Sequence, residues 1–166
     1  MNASQGIRVL NTLVAATFLV AMVVSSQPTF ARAQANTHQG MLFAQKLVEA
    51  TQTKHSEIDE VGISTMTSRG CAGIASTDKG DIGEKCEKDD LQPMRTGKPF
   101  VEKEKDGFDV SLPLHDSAGK LIGAVGIGFK PAAGQTEASV TQQAQKIASE
   151  MEAQIPSKAS LFSRLR

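Results

Sequence analysis

The side chains of this 166-residue sequence that could do chemistry are two cysteines, three histidines and a set of hydroxyls, arginines and acids. Their spacing limits what that chemistry can be. Cys71 and Cys86 form neither CxxC nor CxxCH, and two isolated thiols with distant histidines make poor zinc spacing. Outside the cytoplasm an even cysteine count is most simply a disulfide, which here would tie a strand to a glycine-bearing loop and contribute about 3 kcal/mol by loop closure. His38 lies in a polar, exposed stretch. His55 follows a helix, where a cation favours the C-terminal end. His115 stands beside Asp116 at the end of a strand's polar face, where exposure competes with a binding role. None of the three has the partner expected of a general base. Gly123, Gly126 and Gly128 spell GxxGxG inside an apolar strand, not GxGxxG at a strand-to-helix turn, and Gly97-Lys98 is followed by Pro99, so neither makes a phosphate cradle. GxSxG and HExxH are absent. No enzyme, metal or cofactor is therefore expected. Binding groups remain: Arg69, Ser76, Thr77, Arg95, Thr96 and Lys98 near a polar loop, and Asp109 with Ser111 on a strand face. An arginine can grip a carboxylate through two parallel bonds, and Asp109 can accept an ammonium. Ordinary surface charge is the competing reading for each.

These groups need elements to hold them. From His38 to about Thr53 apolar residues recur at three- and four-residue steps (Met41, Leu42, Ala44, Leu47, Val48, Ala50), which predicts an amphipathic helix. Ile58 to Met66 and Cys71 to Ser76 read as strands around an Arg69-Gly70 turn. Thr77 to Asp90 is polar and glycine-bearing, a solvated loop, closed by a short helix through Leu91 and Met94 that ends at Gly97 and Pro99. Phe100–Lys105, Phe108–His115 and Lys120–Phe129 follow as strands, joined by the tight connectors Asp106-Gly107 and Asp116-Ser117-Ala118-Gly119. In the second of these, Phe108, Val110, Leu112 and Leu114 alternate with Asp109, Ser111, Pro113 and His115, so one face goes to the core. The third is apolar on both faces and central, and its glycines mark a close approach of backbone or ligand. After a linker from Pro131, the stripe Val140, Ala144, Ile147, Met151 and Ile155 predicts a last helix, ended or kinked at Pro156. The sum is an α+β domain: an antiparallel sheet of about five strands with helices against one face.

The chain begins as an exported protein would. Arg8 precedes an apolar run from Val9 to Val24, and small residues at Ala31, Ala33 and Ala35 suit cleavage after residue 33, or after 35. The run is shorter than the ~20 apolar residues of a span, and Pro28 follows it. The expected location is periplasmic or secreted. Of the 18 basic and 18 acidic residues, only Arg8 and Arg32 precede Gln34, which leaves 16 against 18 in the mature part. That balance, with neither Trp nor Tyr, argues against a nucleic-acid partner.

Ile74-Ala75-Ser76-Thr77, Asp81-Ile82-Gly83, Thr96-Gly97-Lys98-Pro99 and the long stretch from Leu112-Pro113-Leu114-His115-Asp116 through Gly119-Lys120-Leu121-Ile122-Gly123 to Gly126 occur in an order that resembles the Cache (PAS-like, PDC) extracytoplasmic sensor domains. The resemblance covers residues 43 to 129. It implies a PAS-like five-stranded sheet with a long N-terminal and a C-terminal helix, spanning residues 36–130 with a linker and helix in 131–166. It also implies a pocket for a small carboxylate or amino acid between the sheet and its covering loop and helix. With strand alternation it makes Arg95, Thr96, Lys98, Asp109, Ser111 and His115 the candidate contacts. No second span or output module follows in the sequence, so a free-standing binding module is expected, with a membrane receptor or a second copy as partner. The alternative is an interaction module whose pocket is filled by side chains.

Overall fold

The computed structural model describes residues 41–105 and 107–165. The leader with its cleavage positions, His38 and Asp106 lie outside them.

Helix α1 (Phe43–Lys54) starts later than His38 and buries Ala44, Leu47 and Val48 of the expected stripe, but Thr51 in place of Ala50, which is exposed. Strands β1 (Ile58–Thr67) and β2 (Gly70–Ser76) form the first hairpin, and a single 3-10 turn (Lys79–Asp81) follows. Helix α2 (Lys88–Thr96) leads into β3 (Phe100–Glu104), β4 (Gly107–His115) and β5 (Leu121–Phe129). Helix α3 (Glu137–Glu152) and one turn, α4 (Lys158–Leu161), complete the order. The strands are antiparallel throughout and lie in the order β2-β1-β5-β4-β3, so β5 is central, as its two apolar faces require. This is the expected α+β, PAS-like architecture.

Alternation sends every second residue to the helices. Three cross-strand rows make that face: Ile58, Phe129 and Phe108; Val61, Ile127 and Val110; Ile63, Val125 and Leu112. All nine are buried, and α1 and α3 cover them with Leu47, Val48, Val140, Ala144, Ile147 and Met151. Each such apolar side chain contributes about 1.5–3 kcal/mol when taken out of water. Thr136 starts α3 by accepting from the Ser139 N–H at 3.1 Å, and Ser139 returns the bond to the Thr136 N–H at 2.9 Å. The basic tail docks on the entry to α1. Phe43 N–H donates to the Ser163 carbonyl (2.8 Å), Leu165 N–H to that of Met41 (2.9 Å), and Leu161 is fully buried. At the C-terminal cap of α1 sits His55, whose ring reaches Glu57 (3.1 Å) and Glu150 of α3 (2.9 Å). Among the described residues no helix is long and apolar enough to cross a membrane.

Candidate functional site

The other face of the same sheet is built from small residues and acids. Its central row runs Ser76, Gly62, Gly126, Ser111, Phe100 across all five strands. Glycines at the middle of a row remove side chains, and a methyl placed on Gly126 would meet only the Ser111 hydroxyl, at 3.8 Å. The floor is therefore open because there is nothing on it, not because something was pushed aside. The next row is Glu60, Gly128, Asp109, Glu102. A register shift between Ile58 and Glu60 breaks the alternation of β1. A methyl on Gly128 would lie 2.8 Å from an Asp59 carboxyl oxygen and 3.0 Å from one of Asp109.

The loop after β2 and the first turn of α2 wall this floor, leaving a concave cavity of about 520 Å³ that is open to solvent. The wall is stapled to β2. Cys71 and Cys86 are disulfide-bonded, and beside them Cys86 N–H donates to the Cys71 carbonyl (3.3 Å), Gly73 N–H to that of Glu84 (3.0 Å) and Gly83 N–H to that of Gly73 (2.9 Å). Gly73 has to be glycine, since a Cβ there would stand 2.6 Å from the Asp81 carbonyl oxygen. At the start of α2, Glu87 and Asp90 form a capping box, with the Glu87 N–H donating to the Asp90 carboxylate at 3.2 Å.

Charge is what distinguishes the cavity. The sheet supplies Glu60, Glu102 and Asp109, the turn and loop supply Asp81, Glu84 and Glu87, and α2 supplies Asp89 and Asp90. Against these eight acids the lining has one cation, Lys85. Three of these acids, Glu60, Asp90 and Asp109, hold their protons more tightly than free carboxyls do. Although much of Glu60 reaches solvent, loss of hydration in the concave wall, a carboxyl–carboxyl bond with Asp81 and the nearby charges of Asp81, Asp78 and Asp109 push it up to about 7. Asp109 is raised by desolvation and then by Glu104, Asp59, Glu102 and Asp89. Asp90 is raised chiefly by desolvation, opposed by a hydrogen bond from Ser64. Phe100, at the edge of the floor, already carries the Lys88 ammonium 5.1 Å from its ring centroid.

Of the candidate contacts, Asp109 and Ser111 line the cavity, as alternation places them. Arg95, Thr96 and Lys98 do not line it. They are exposed at the C-terminal end of α2, where Thr96 accepts from Lys98 N–H (3.2 Å) and donates to the Gln92 carbonyl (2.8 Å), closing the helix with Gly97 at φ +67°. His115 is also elsewhere. The register shifts between Leu114 and His115, and both the His115 N–H (2.7 Å) and its Nδ1 (2.8 Å) face Glu152 of α3. A carboxylate ligand therefore finds none of the arginine grip expected for it. Nor is the pocket filled by side chains. Most of the acids that make the site lie in the stretch whose composition predicts an ordinary solvated loop, and their one signal in sequence is their density between Asp78 and Asp90.

No family model matches the chain, and no curated protein matches it in sequence. Its fold is similar to that of several solved structures. The repressor BlcR of Agobacterium tumefaciens is 9% identical, with 76% of this chain and 72% of that one covered and a TM-score of 0.51. A GAF sensor protein from Burkholderia vietnamiensis is 11% identical (70% and 76% covered, TM-score 0.49). The sensor domain of Escherichia coli DcuS is 23% identical (61% and 71% covered, TM-score 0.40). At these identities the likeness is one of fold.

Proposed function

We propose that this chain is an exported binding module of the sensor type, which captures a small organic cation in the acid-lined cavity and passes its bound state to a membrane partner. The observation that carries the reading is the imbalance of eight acidic side chains against one lysine around an open floor of glycine and serine. A cation entering there replaces solvent as the partner of those carboxylates, whereas an anion would add to the repulsion. The volume lies within the ~300–1,000 Å³ of small-molecule sites. Export is supported by the leader and by the Cys71–Cys86 bridge, which suits an oxidising compartment. Binding rather than catalysis is supported by the lack of any nucleophile–base pair in the sequence.

A thermal-shift screen of the oxidised, exported protein tests this, with diamines, polyamines, guanidinium and quaternary ammonium compounds set against dicarboxylates at equal ionic strength. A cation at about 100 times its dissociation constant adds about 2.7 kcal/mol and raises the melting temperature by several degrees. A response confined to dicarboxylates would refute the reading.

A further inference from the structure

The wall of the cavity is held in place with almost no help from the hydrophobic core. From Asp78 to Lys85 every residue is exposed, and Ile82, the one branched apolar side chain of that stretch, is 42% exposed. Releasing the stretch therefore costs it little buried apolar surface. Its two ends, by contrast, are anchored. Thr77 N–H donates to the Val61 carbonyl (2.9 Å) and its hydroxyl accepts from Val61 N–H (3.0 Å), while α2 packs on β4 and β5 with Pro93 buried. Between these ends the wall meets the sheet at the outer edge of β2, the first strand in the order, through the backbone bonds of Gly73, Gly83 and Cys86 and through the Cys71–Cys86 bridge. The side-chain ties are polar: the Ser76 hydroxyl donates to Asp81 Oδ2 at 3.0 Å and accepts from Asp78 N–H at 3.1 Å, and Lys79 pairs with Glu49 of α1 at 2.8 Å. Such bonds compete with water and contribute little net, which leaves the bridge, the one covalent cross-link, as the tie that decides. It can be reached from solvent. Cys71 and Cys86 are both partly exposed, and Met66, which pairs with Cys71 across the hairpin, is 54% exposed.

We propose that the Cys71–Cys86 bridge is a redox latch on the cavity wall: a dithiol reductant opens it, residues 78–87 leave the edge of β2, and the sheet with its helices stays folded. A thiolate of the dithiol attacks one sulfur of the bridge, and the other sulfur leaves and takes a proton. The second thiol of the reductant then resolves the mixed disulfide, so the bridge gains two electrons and two protons while the dithiol becomes a disulfide. Asp81, Glu84, Lys85 and Glu87 leave the lining, whereas Glu60, Asp109, Ser111 and Gly126 remain on the sheet. A latch differs from a staple in what it does to stability. Where the wall is released in the folded state, reduction frees the same segment in folded and unfolded chains alike, and the loop-closure entropy largely cancels from the unfolding equilibrium. The effect on ligand capture rests on the reading of the cavity as a binding site; the release itself does not.

The test is amide hydrogen exchange of the exported protein, first oxidised and then reduced with dithiothreitol in the absence of denaturant, with free thiols counted by alkylation. The Gly73, Gly83 and Cys86 amides should exchange about a hundredfold faster after reduction, the weight of closing a segment between cysteines 15 residues apart. Val125 and Ile127 of β5 should stay within about threefold, and the unfolding midpoint should barely move. Cys71→Ser combined with Cys86→Ser should reproduce the reduced pattern without dithiol, and the reduced natural chain decides where that variant does not fold. Wall amides as slow after reduction as before would show that the backbone bonds hold the wall unaided. Acceleration shared equally by β5, or unfolding on reduction, would make the bridge a staple of the whole fold, and a bridge that dithiothreitol leaves intact in the folded protein would remove the switch. Each of these overturns the latch. Release of the wall together with a flat thermal-shift screen of the oxidised protein leaves the latch standing and sinks the reading of the cavity as a binding site.

Discussion

The two faces of this sheet are made from the same strands and differ in what alternation delivers to each. On the helix side, rows such as Ile63, Val125 and Leu112 are filled by branched chains that pack to exclude water. On the cavity side, the row from Ser76 through Gly62 and Gly126 to Ser111 has almost no side chain, and the row beside it is acidic. The difference shows how stability and binding are separated within single strands: β4 supplies Val110 to the core and Asp109 and Ser111 to the cavity. A change on one face should therefore leave the other's property alone, and the largest effect belongs to the core. Leu114, fully buried, pairs with Gly123. Leu114→Ala should cost about 2–5 kcal/mol in denaturant unfolding while the folded fraction keeps its cation affinity. A loss of affinity larger than the loss of stability explains would show that the faces are not independent.

Glycines of β5 sharpen the comparison, because they lie on both faces for opposite reasons. A Cβ on Gly123 would run into the Ser64 carbonyl of the neighbouring strand and stand 3.1 Å from the Thr65 Cβ, so that glycine is required by packing. A Cβ on Gly126 has room, so that glycine is required only by whatever occupies the cavity. Gly123→Ala should destabilise by about 1–3 kcal/mol. Gly126→Leu should change stability by less than about 1 kcal/mol, since a strand loses little and gains side-chain order there, yet reduce cation affinity by tenfold or more through occupation of the floor. Unfolding curves and titration calorimetry on the two variants read both effects. Equal destabilisation would mean that Gly126 too is a packing glycine.

The core face was legible because period-two alternation needs no knowledge of partners. Phe108, Val110, Leu112 and Leu114 announce it in nine residues of β4, and the α3 stripe from Val140 to Met151 does the same at helical spacing. The cavity was half legible by the same route, which placed Asp109 and Ser111. It failed where alternation itself is broken. The shift between Leu114 and His115 carries His115 to Glu152, and the one between Ile58 and Glu60 disturbs the acidic end of β1. The acids from Asp81 to Asp90 converge on the floor only because the disulfide and the backbone bonds of Gly73 hold their loop down, a three-dimensional constraint that their spacing does not encode.

The smallest effect falls on the residues that chemical type alone recommends. Arg95 is a guanidinium four residues beyond Leu91 on a helix that does wall the cavity, and its sequence setting, just ahead of Thr96-Gly97-Lys98, looks like a carboxylate grip. The helix presents its first turn to the cavity and its last turn to water, however, so Asp89 and Asp90 line the site and Arg95 does not. Arg95→Ala should move stability by no more than about 0.5 kcal/mol and leave cation affinity within twofold, because an exposed cation outside the cavity is screened from it. Should Arg95→Ala instead strengthen cation binding several-fold, its charge reaches the cavity through solvent, and the acid-against-lysine imbalance has to be drawn over a wider surface than the lining.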